Sequence, residues 1–368
     1  MRPGLCDRGH ASGERPGLAE KLLCVWGAQR FLGAGHGVAS MILVTGASGC
    51  LGSHIVRRLL AQGEAVAVLV LPEDPAPALA GLRERLDWRE GDLLVPASLA
   101  PALRGVTRIY HAAGLALPYE SERQRMFAVN VQGTVNLLQA ARTAGVGRIL
   151  HVSSIAAVGY PARQADETMA YNGDAFRLAY MHSKREAEEQ VRRFCAEGMD
   201  IVIACPSAVI ASHCDVLHGW GKVMLDLQYR RLPFIPPGGI AVIGARDLVE
   251  GLQAVMDRGQ RGERYILSAH NTSYRELFSC MADALSVRAP RWRPRSLAWI
   301  VALLRPLDLL IGRVPLRLSA DVVALLGRQV HYRTDKARQQ LGFVPSQSLE
   351  DLVHETAHWL TRLQERER

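Results

Sequence analysis

The sequence predicts an α/β chain built on a doubly wound parallel sheet with a smaller mixed α/β lobe. Three observations carry this reading. Between about 41 and 205, short runs rich in Val, Ile and Leu alternate with longer stretches of helical period. Those runs are apolar throughout, which marks strands covered on both faces. A glycine-spaced turn stands between the first run and the first helical stretch. Strands joined by helices imply parallel βαβ units with right-handed crossovers, and the ligand crevice of such a sheet lies beyond the carboxyl ends of its strands.

Residues 1–40 are rich in Gly, Arg and Pro and show no sustained period, so they read as a disordered extension before a natural start at Met41. A targeting peptide is the alternative. A secretory signal is not expected, because Glu20 and Lys21 break the apolar patch and no cleavage site follows it. The strands are expected at Met41–Thr45, Ala65–Leu71, Leu86–Arg89, Val106–His111, Arg148–Val152 and Ile201–Cys205, with helices over Ser53–Gln62 and Asn130–Thr143 between them. The sheet domain is placed at 41–205. The lobe and C-terminal helices occupy 206–368, with some segments returning to the sheet domain.

Composition narrows the function classes. The chain has 368 residues, 48% hydrophobic and 22% charged, as in ordinary globular proteins. Its 44 Lys+Arg against 36 Asp+Glu give +8, spread without a basic stripe, so attraction for small anions is expected and nucleic-acid binding is not. Seven cysteines with no C-x-x-C pair argue against a disulfide framework and for a reducing, cytoplasmic setting. His213, Cys214 and His218 lack a fourth ligand, so no metal is expected. The apolar run Leu297–Leu304 is far short of the roughly 20 residues needed to span a bilayer. The stretch 296–318, with Trp299, Leu303, Leu307, Leu310 and Ile311 at helical spacing near Arg305, Arg313 and Arg317, reads first as a core-packing helix of the lobe. Peripheral membrane contact is its alternative.

The first turn reads Thr45-Gly46-Ala47-Ser48-Gly49-Cys50-Leu51-Gly52. Gly46 suits a tight turn, Gly49 lets backbone approach a pyrophosphate, and Gly52 permits close packing of the helix. The helix N-terminus near Cys50 then offers N–H groups and partial positive charge to phosphates. This makes the sheet Rossmann-type and the ligand a dinucleotide. Asp92, followed by Leu93, is placed to accept from the adenine amino group or to cap the helix over 96–104. Val70-Leu71-Pro72-Glu73-Asp74 puts an apolar residue where an acid would select NAD or an arginine NADP, so either cofactor is expected.

Tyr180 and Lys184 stand at i, i+4, which puts both on one face of a helix running to about Cys195. A phenol with a pKa near 10 works poorly at neutral pH, and a neighbouring ammonium is expected to lower it. The same lysine can hydrogen-bond the nicotinamide ribose. Ser153 and Ser154 close a strand about 26 residues earlier, so a hydroxyl there can hold a substrate oxygen while Tyr180 moves its proton.

With these motifs the chain resembles the extended short-chain dehydrogenases/reductases of the NAD-dependent epimerase/dehydratase type. It is most similar to the dihydroflavonol-4-reductase-like branch, which includes sugar epimerase-like proteins associated with hopanoid gene clusters. The likeness covers about 41–355. It rests on the turn at 45–52, Gly91-Asp92-Leu93, His111-Ala112-Ala113-Gly114, the run Asn130–Leu138, Ser153-Ser154 with Gly159, Tyr180/Lys184, Cys205-Pro206-Ser207 and the run Gly262–Leu267. The resemblance implies Ser154, Tyr180 and Lys184 as catalytic triad, Ser154 standing five before Gly159. It implies Ala112 and Ala113 beside the adenosine, Pro206 and Ser207 at the nicotinamide carboxamide, and Asn130 in a geometric role. It also implies a homodimer through a four-helix contact.

The departures concern the lobe. Gly244 replaces a histidine of the related pattern while Asp247 is retained, and Ile240 stands where sugar-nucleotide enzymes carry a diphosphate-binding arginine. The expected activity is hydride transfer to or from a carbonyl or alcohol carbon of a small molecule. The alternatives are a sugar-nucleotide epimerase or dehydratase, and a non-catalytic nucleotide sensor, against which the presence of both Tyr180 and Lys184 argues.

Overall fold

Alternate residues of the first strand sit on opposite faces of the sheet, and Met41 to Val44 are all apolar. Ile42 and Val44 join one core while Leu43 joins the other. That is the reason the strand must lie inside. The computed structural model describes residues 40–117, 120–212, 219–292, 294–311 and 320–366, with backbone alone for 305–311 and 366. Its strands are β1 Met41–Thr45, β2 Ala65–Val70, β3 Asp87–Glu90, β4 Val106–His111, β5 Arg148–Val152 and β6 Gln164–Ala165. They continue with β7 Ile201–Pro206, β8 Ala208–Ile210, β9 Gly239–Gly244, β10 Arg264–Leu267, β11 His270–Ser273 and β12 Gln329–Tyr332.

The large sheet has seven strands in the order β10-β7-β5-β4-β1-β2-β3. All its pairings are parallel. Strand order reverses beside β1, so the crevice between the ends of β1 and β4 is the switch point where a ligand finds room. The second sheet runs β11-β9-β12-β6, with β8 beside β9. The lobe has its own core of Ile210, Met224, Leu277, Met281, Leu352 and Val353.

Helices cover both faces of the large sheet. Cys50–Ala61 buries Ile55, Val56, Leu59 and Leu60. Gly133–Ala144 buries Leu137, Leu138 and Ala141 and stops at Gly145, whose φ of 70° only glycine adopts without strain. Each fully buried Leu or Ile of these stripes contributes about 1.5–3 kcal/mol.

Most differences from the sequence reading are at element ends. The first helix starts at Cys50, where the glycine turn placed its N-terminus, although helical period was read only from Ser53; Gly49 is extended and ends the turn. A π-helical stretch, Ala128–Gln132, stands before Gly133 where a regular helix was expected from Asn130. Strand β7 reaches Pro206, which has no N–H to donate and can close a strand but not continue one. Cys50 is disulfide-bonded. Cys195, Cys205 and Cys280 are free. The extension 1–39, the loop with His213, Cys214 and His218, and residues 312–318 lie outside the described residues.

Gly52 fixes the start of the fold. A Cβ there would lie 2.0 Å from the Gly46 carbonyl oxygen and 2.8 Å from Ala47 Cα, both backbone. At Gly145 a Cβ would meet nothing within 4 Å. Gly52→Ala is therefore expected to destabilise by about 2–3 kcal/mol despite alanine's better helix propensity. Gly145→Ala should lose only about 1 kcal/mol, through its φ. Urea melts of the two variants check the order.

Candidate active site

The glycine turn meets the end of β4 with no side chain between them. Gly46 has φ +66°, and a Cβ on it would lie 2.7 Å from Ala113 N and Cα. Ala112 N donates to Thr45 O at 3.2 Å, and Ala113 N to Thr45 Oγ1 at 3.3 Å. The helix after the turn begins with no side-chain cap and no acid in its first turn, so its positive end faces the crevice. Gly46, Ser48, Gly49, Cys50, Leu51, Gly52, Ala112 and Ala113 thus come together at the switch point.

Beneath this turn a chain of hydrogen bonds runs to the tyrosine helix, Ala179–Ala196. Thr45 Oγ1 pairs with His111 Nδ1 at 2.8 Å, and His111 Nε2 with Thr134 Oγ1 at 2.9 Å. Thr134 Oγ1 donates to Asn130 O at 2.6 Å, and Asn130 Nδ2 donates to Ser183 Oγ at 2.9 Å. Ser183 Oγ donates to Tyr180 O at 2.9 Å. Asn130 also accepts from Leu115 N and donates to Leu115 O, which holds the loop after β4. Thr45, His111, Thr134 and Ser183 were not singled out in the sequence. Their signal was a polar residue at the end of an otherwise apolar strand or helix stripe.

The two strand-terminal serines part company. Ser153 Oγ donates to Glu188 at 3.0 Å, inside a buried cluster that Arg264 joins at 3.2 Å and Arg192 at 2.9 Å. Ser154 Oγ accepts from Ala156 N at 3.1 Å, capping the short helix Ile155–Val158, and also hydrogen-bonds the Tyr180 phenol. Of the pair, only Ser154 meets Tyr180. Lys184 is buried one turn along from Tyr180, and its Nζ donates to Val152 O at 2.8 Å.

The electrostatics correct one expectation. The Tyr180 pKa is raised by burial, a shift that the Ser154 hydrogen bond only partly offsets. Lys184, directed at Val152 O, is not among the groups acting on the phenol. Lys184 itself is lowered to about 8 by burial, with Cys205 and Glu188 acting the other way. Burial, with the lysine charge, lowers His111 to about 3 and holds His151 well below the ordinary imidazole range. Neither His151 ring nitrogen has a partner.

The remaining expected residues divide. Pro206 ends β7, and Ser207 N donates to Leu267 O at 2.9 Å, leaving Ser207 Oγ buried without a partner. Asp92 does not cap a helix: its Oδ1 accepts from Leu94 N at 2.8 Å, and the following helix starts at Pro96 behind an uncapped Val95. Leu93 is buried, and its carbonyl accepts from Asn136 at 2.7 Å. Leu71 is exposed beyond β2 and makes no cofactor choice. Asp247 is structural, accepting from Ser346 N, Ser346 Oγ and Gln347 N at 3.0 Å each. A Cβ at Gly244 would crowd Gln347 Oε1, which leaves no room for a histidine without movement. A separate surface cavity of about 650 Å³ includes Arg185, Arg192, Arg264, Arg333 and Lys336 in its lining. Each of these cations already has a carboxylate partner, so the cavity is a cleft held by ion pairs.

Fold and site together define a dinucleotide-dependent oxidoreductase with a Tyr–Lys pair at the crevice. Residues 42–267 match the NAD dependent epimerase/dehydratase family. The chain belongs to that family, and a nicotinamide dinucleotide is its cofactor. It is 32% identical over 309 residues to "Sterol demethylase protein B" of Methylococcus capsulatus, covering 83% of this chain and 93% of the relative. A Synechocystis protein provisionally named dihydroflavonol 4-reductase is 30% identical, covering 88% and 95%. Among solved structures, PA4631, a nucleoside-diphosphate-sugar epimerase from Pseudomonas aeruginosa, superposes with a TM-score of 0.73 at 27% identity over 88% of this chain and 98% of that one. The residues present fit a dinucleotide: the uncapped, acid-free start of the helix Cys50–Ala61 offers N–H groups and partial positive charge to phosphates, and the orphaned Ser207 hydroxyl is a ready partner for an amide.

Burying a lysine has a measurable cost. Its pKa is lower in the folded state than in the unfolded one, so folding releases a proton between about pH 8 and 10 and stability from this group rises with pH there. Lys184→Met removes that burden and one hydrogen bond, a net gain of about 2 kcal/mol at pH 7. The Tm advantage of the variant over wild type should shrink as pH approaches 10, while its turnover is lost. Calorimetric scans at pH 7 and 10 check this.

Proposed function

We propose that Ser154, Tyr180 and Lys184 carry out hydride transfer at a carbonyl or alcohol carbon of an apolar cyclic substrate, with reduction as the working direction. The observation that carries this is the Tyr180 phenol hydrogen-bonded to Ser154 at the carboxyl end of β5, with Lys184 buried beneath. Bound NAD(P) supplies or accepts the hydride. Ser154 Oγ donates to the substrate oxygen and holds the carbonyl in place. Tyr180 gives its proton to that oxygen as negative charge develops there, and takes it back in the reverse direction. Because burial keeps the phenol protonated at neutral pH, Tyr180 stands in the state that reduction consumes. Lys184 carries positive charge below about pH 8 and, with one N–H given to Val152 O, would hold the nicotinamide ribose with another.

The apolar character of the substrate is inferred from the surroundings of Tyr180. Ala156, Phe176, Met181, Tyr160, Leu178 and Leu325 cluster around it. The likeness to relatives named for a sterol and for a dihydroflavonol agrees with such a ligand. Ser207 and Pro206 would hold the carboxamide, and the turn at 46–52 the pyrophosphate. The second reading, a sugar-nucleotide epimerase, has the PA4631 likeness in its favour. It would use the same residues for transient oxidation and keep its cofactor throughout.

Two measurements distinguish these readings. Purified enzyme with exchangeable cofactor should oxidise NADH or NADPH with cyclic ketones, whereas stoichiometric, tightly held nicotinamide with sugar-nucleotide turnover supports the epimerase. Tyr180→Phe is expected to lower kcat by about 10³-fold with cofactor affinity kept, and Ser154→Ala by about 10²-fold. Full turnover by Tyr180→Phe on an identified substrate overturns the assignment.

A further inference from the structure

From Ala298 to Leu304, the helix Ala298–Ile311 presents apolar side chains to solvent. From Leu297 to Leu304 it has no polar side chain. Leu297 is buried, and Ile300, Val301 and Leu304 are half-buried against the lobe. The outward positions are Ala298, Trp299, Ala302 and Leu303, all exposed, and their spacing places them on one helical face. Trp299 is 56% and Leu303 65% exposed. The helix Ala245–Arg258 shows the ordinary arrangement, turning Arg246, Glu250 and Asp257 outward.

The patch extends beyond the helix. Trp292, 47% exposed, packs edge-on against Phe234 with ring centroids 5.1 Å apart. It also lies 6.4 Å from the Trp299 ring. Two exposed tryptophans and a leucine thus form one surface. Exposed Arg288, Arg291 and Arg295 flank it. None has a carboxylate within 4 Å among the described residues. No acid occurs anywhere from 288 to 304.

We infer that this face seats on an anionic phospholipid surface. Trp292, Trp299 and Leu303 enter the boundary between headgroups and acyl chains, where the amphipathic indole ring is favoured. Arg288, Arg291 and Arg295 meet lipid phosphates, which their planar guanidinium groups can bind in a bidentate manner. The contact is peripheral: no helix among the described residues is long and apolar enough to cross a membrane. A second copy of the chain suits the face less well. A two-fold interface would set the patch against itself and bring the unpaired arginine rims together. The patch helix packs on Ala320–Leu326, which delivers Leu325 to the cluster around Tyr180.

Flotation of the full-length protein with vesicles tests this, comparing phosphatidylcholine alone with equal parts phosphatidylcholine and phosphatidylglycerol. Binding to the anionic vesicles, weakened by salt, is expected. Trp299→Glu with Leu303→Glu should lower the bound fraction roughly tenfold. Replacing Arg288, Arg291 and Arg295 by Gln should remove the preference for anionic vesicles. Both variants should keep the wild-type Tm and NADH affinity. Bromine-labelled phosphatidylglycerol should quench the tryptophan fluorescence of the wild-type protein, a readout that needs no variant to fold. Wild-type protein that stays out of anionic vesicles, unquenched, overturns the inference. So does light scattering that shows Leu303→Glu halving the particle mass in the absence of vesicle binding, because the face would then belong to a second copy.

Discussion

The backbone contact between the glycine turn and the end of β4 sets the geometry on which the site depends. No Cβ fits at Gly46 because Ala113 already occupies the space, and the strand-end residues Thr45 and His111 are drawn into one hydrogen-bond chain by the same closeness. That chain continues through Thr134, Asn130 and Ser183 to the backbone of Tyr180. The groups expected to hold the pyrophosphate are thereby tied to the group expected to move the proton. The spacing between two parts of the reaction is thus set by buried bonds inside the sheet, where solvent cannot compete for them.

Unfavourable burial occurs in the same region. Lys184 is buried with its pKa drawn to about 8, His151 has no partner for either ring nitrogen, and Ser207 Oγ is orphaned at the end of β7. Elsewhere Ser268 Oγ, next to β10, and Gln347 Oε1, in the lobe, are also buried without partners. Polar groups left unsatisfied cost stability, and the fold tolerates them where a ligand would complete their bonds. Glu188 is the contrasting case: equally buried, it is fully engaged by Arg264, Arg192 and Ser153 and braces the tyrosine helix against β10.

Much of this was legible in the sequence, for identifiable reasons. Strands β1, β4 and β5 match their expected bounds residue for residue, because each begins directly after a turn-forming residue, Ser40, Gly105 or Gly147. The Tyr180/Lys184 spacing survives folding because a helix of that length fixes i and i+4 on one face. The direction of the tyrosine's shift was not legible. It depends on where the lysine amine points, and Val152 O, a backbone atom 32 positions away, captures it. The helix-cap alternative for Asp92 fails because a side chain's choice between Leu94 N and a helix start depends on turn geometry that residue spacing does not specify. Strand β10 was quoted only as a motif: four residues have too little periodicity to declare themselves, and their strand character comes from pairing with β7.

That last strand has consequences for how the chain can be made and cut. β10 closes the far edge of the large sheet, yet it follows β8 and β9, which belong to the other sheet, in the chain. A fragment ending at Pro206 would leave the β7 edge bare, with Arg264 no longer reaching Glu188. Such a piece presents open backbone donors and acceptors and invites aggregation. Collapse on the ribosome must wait for distant partners, which makes the folding nucleus non-local and slow to assemble.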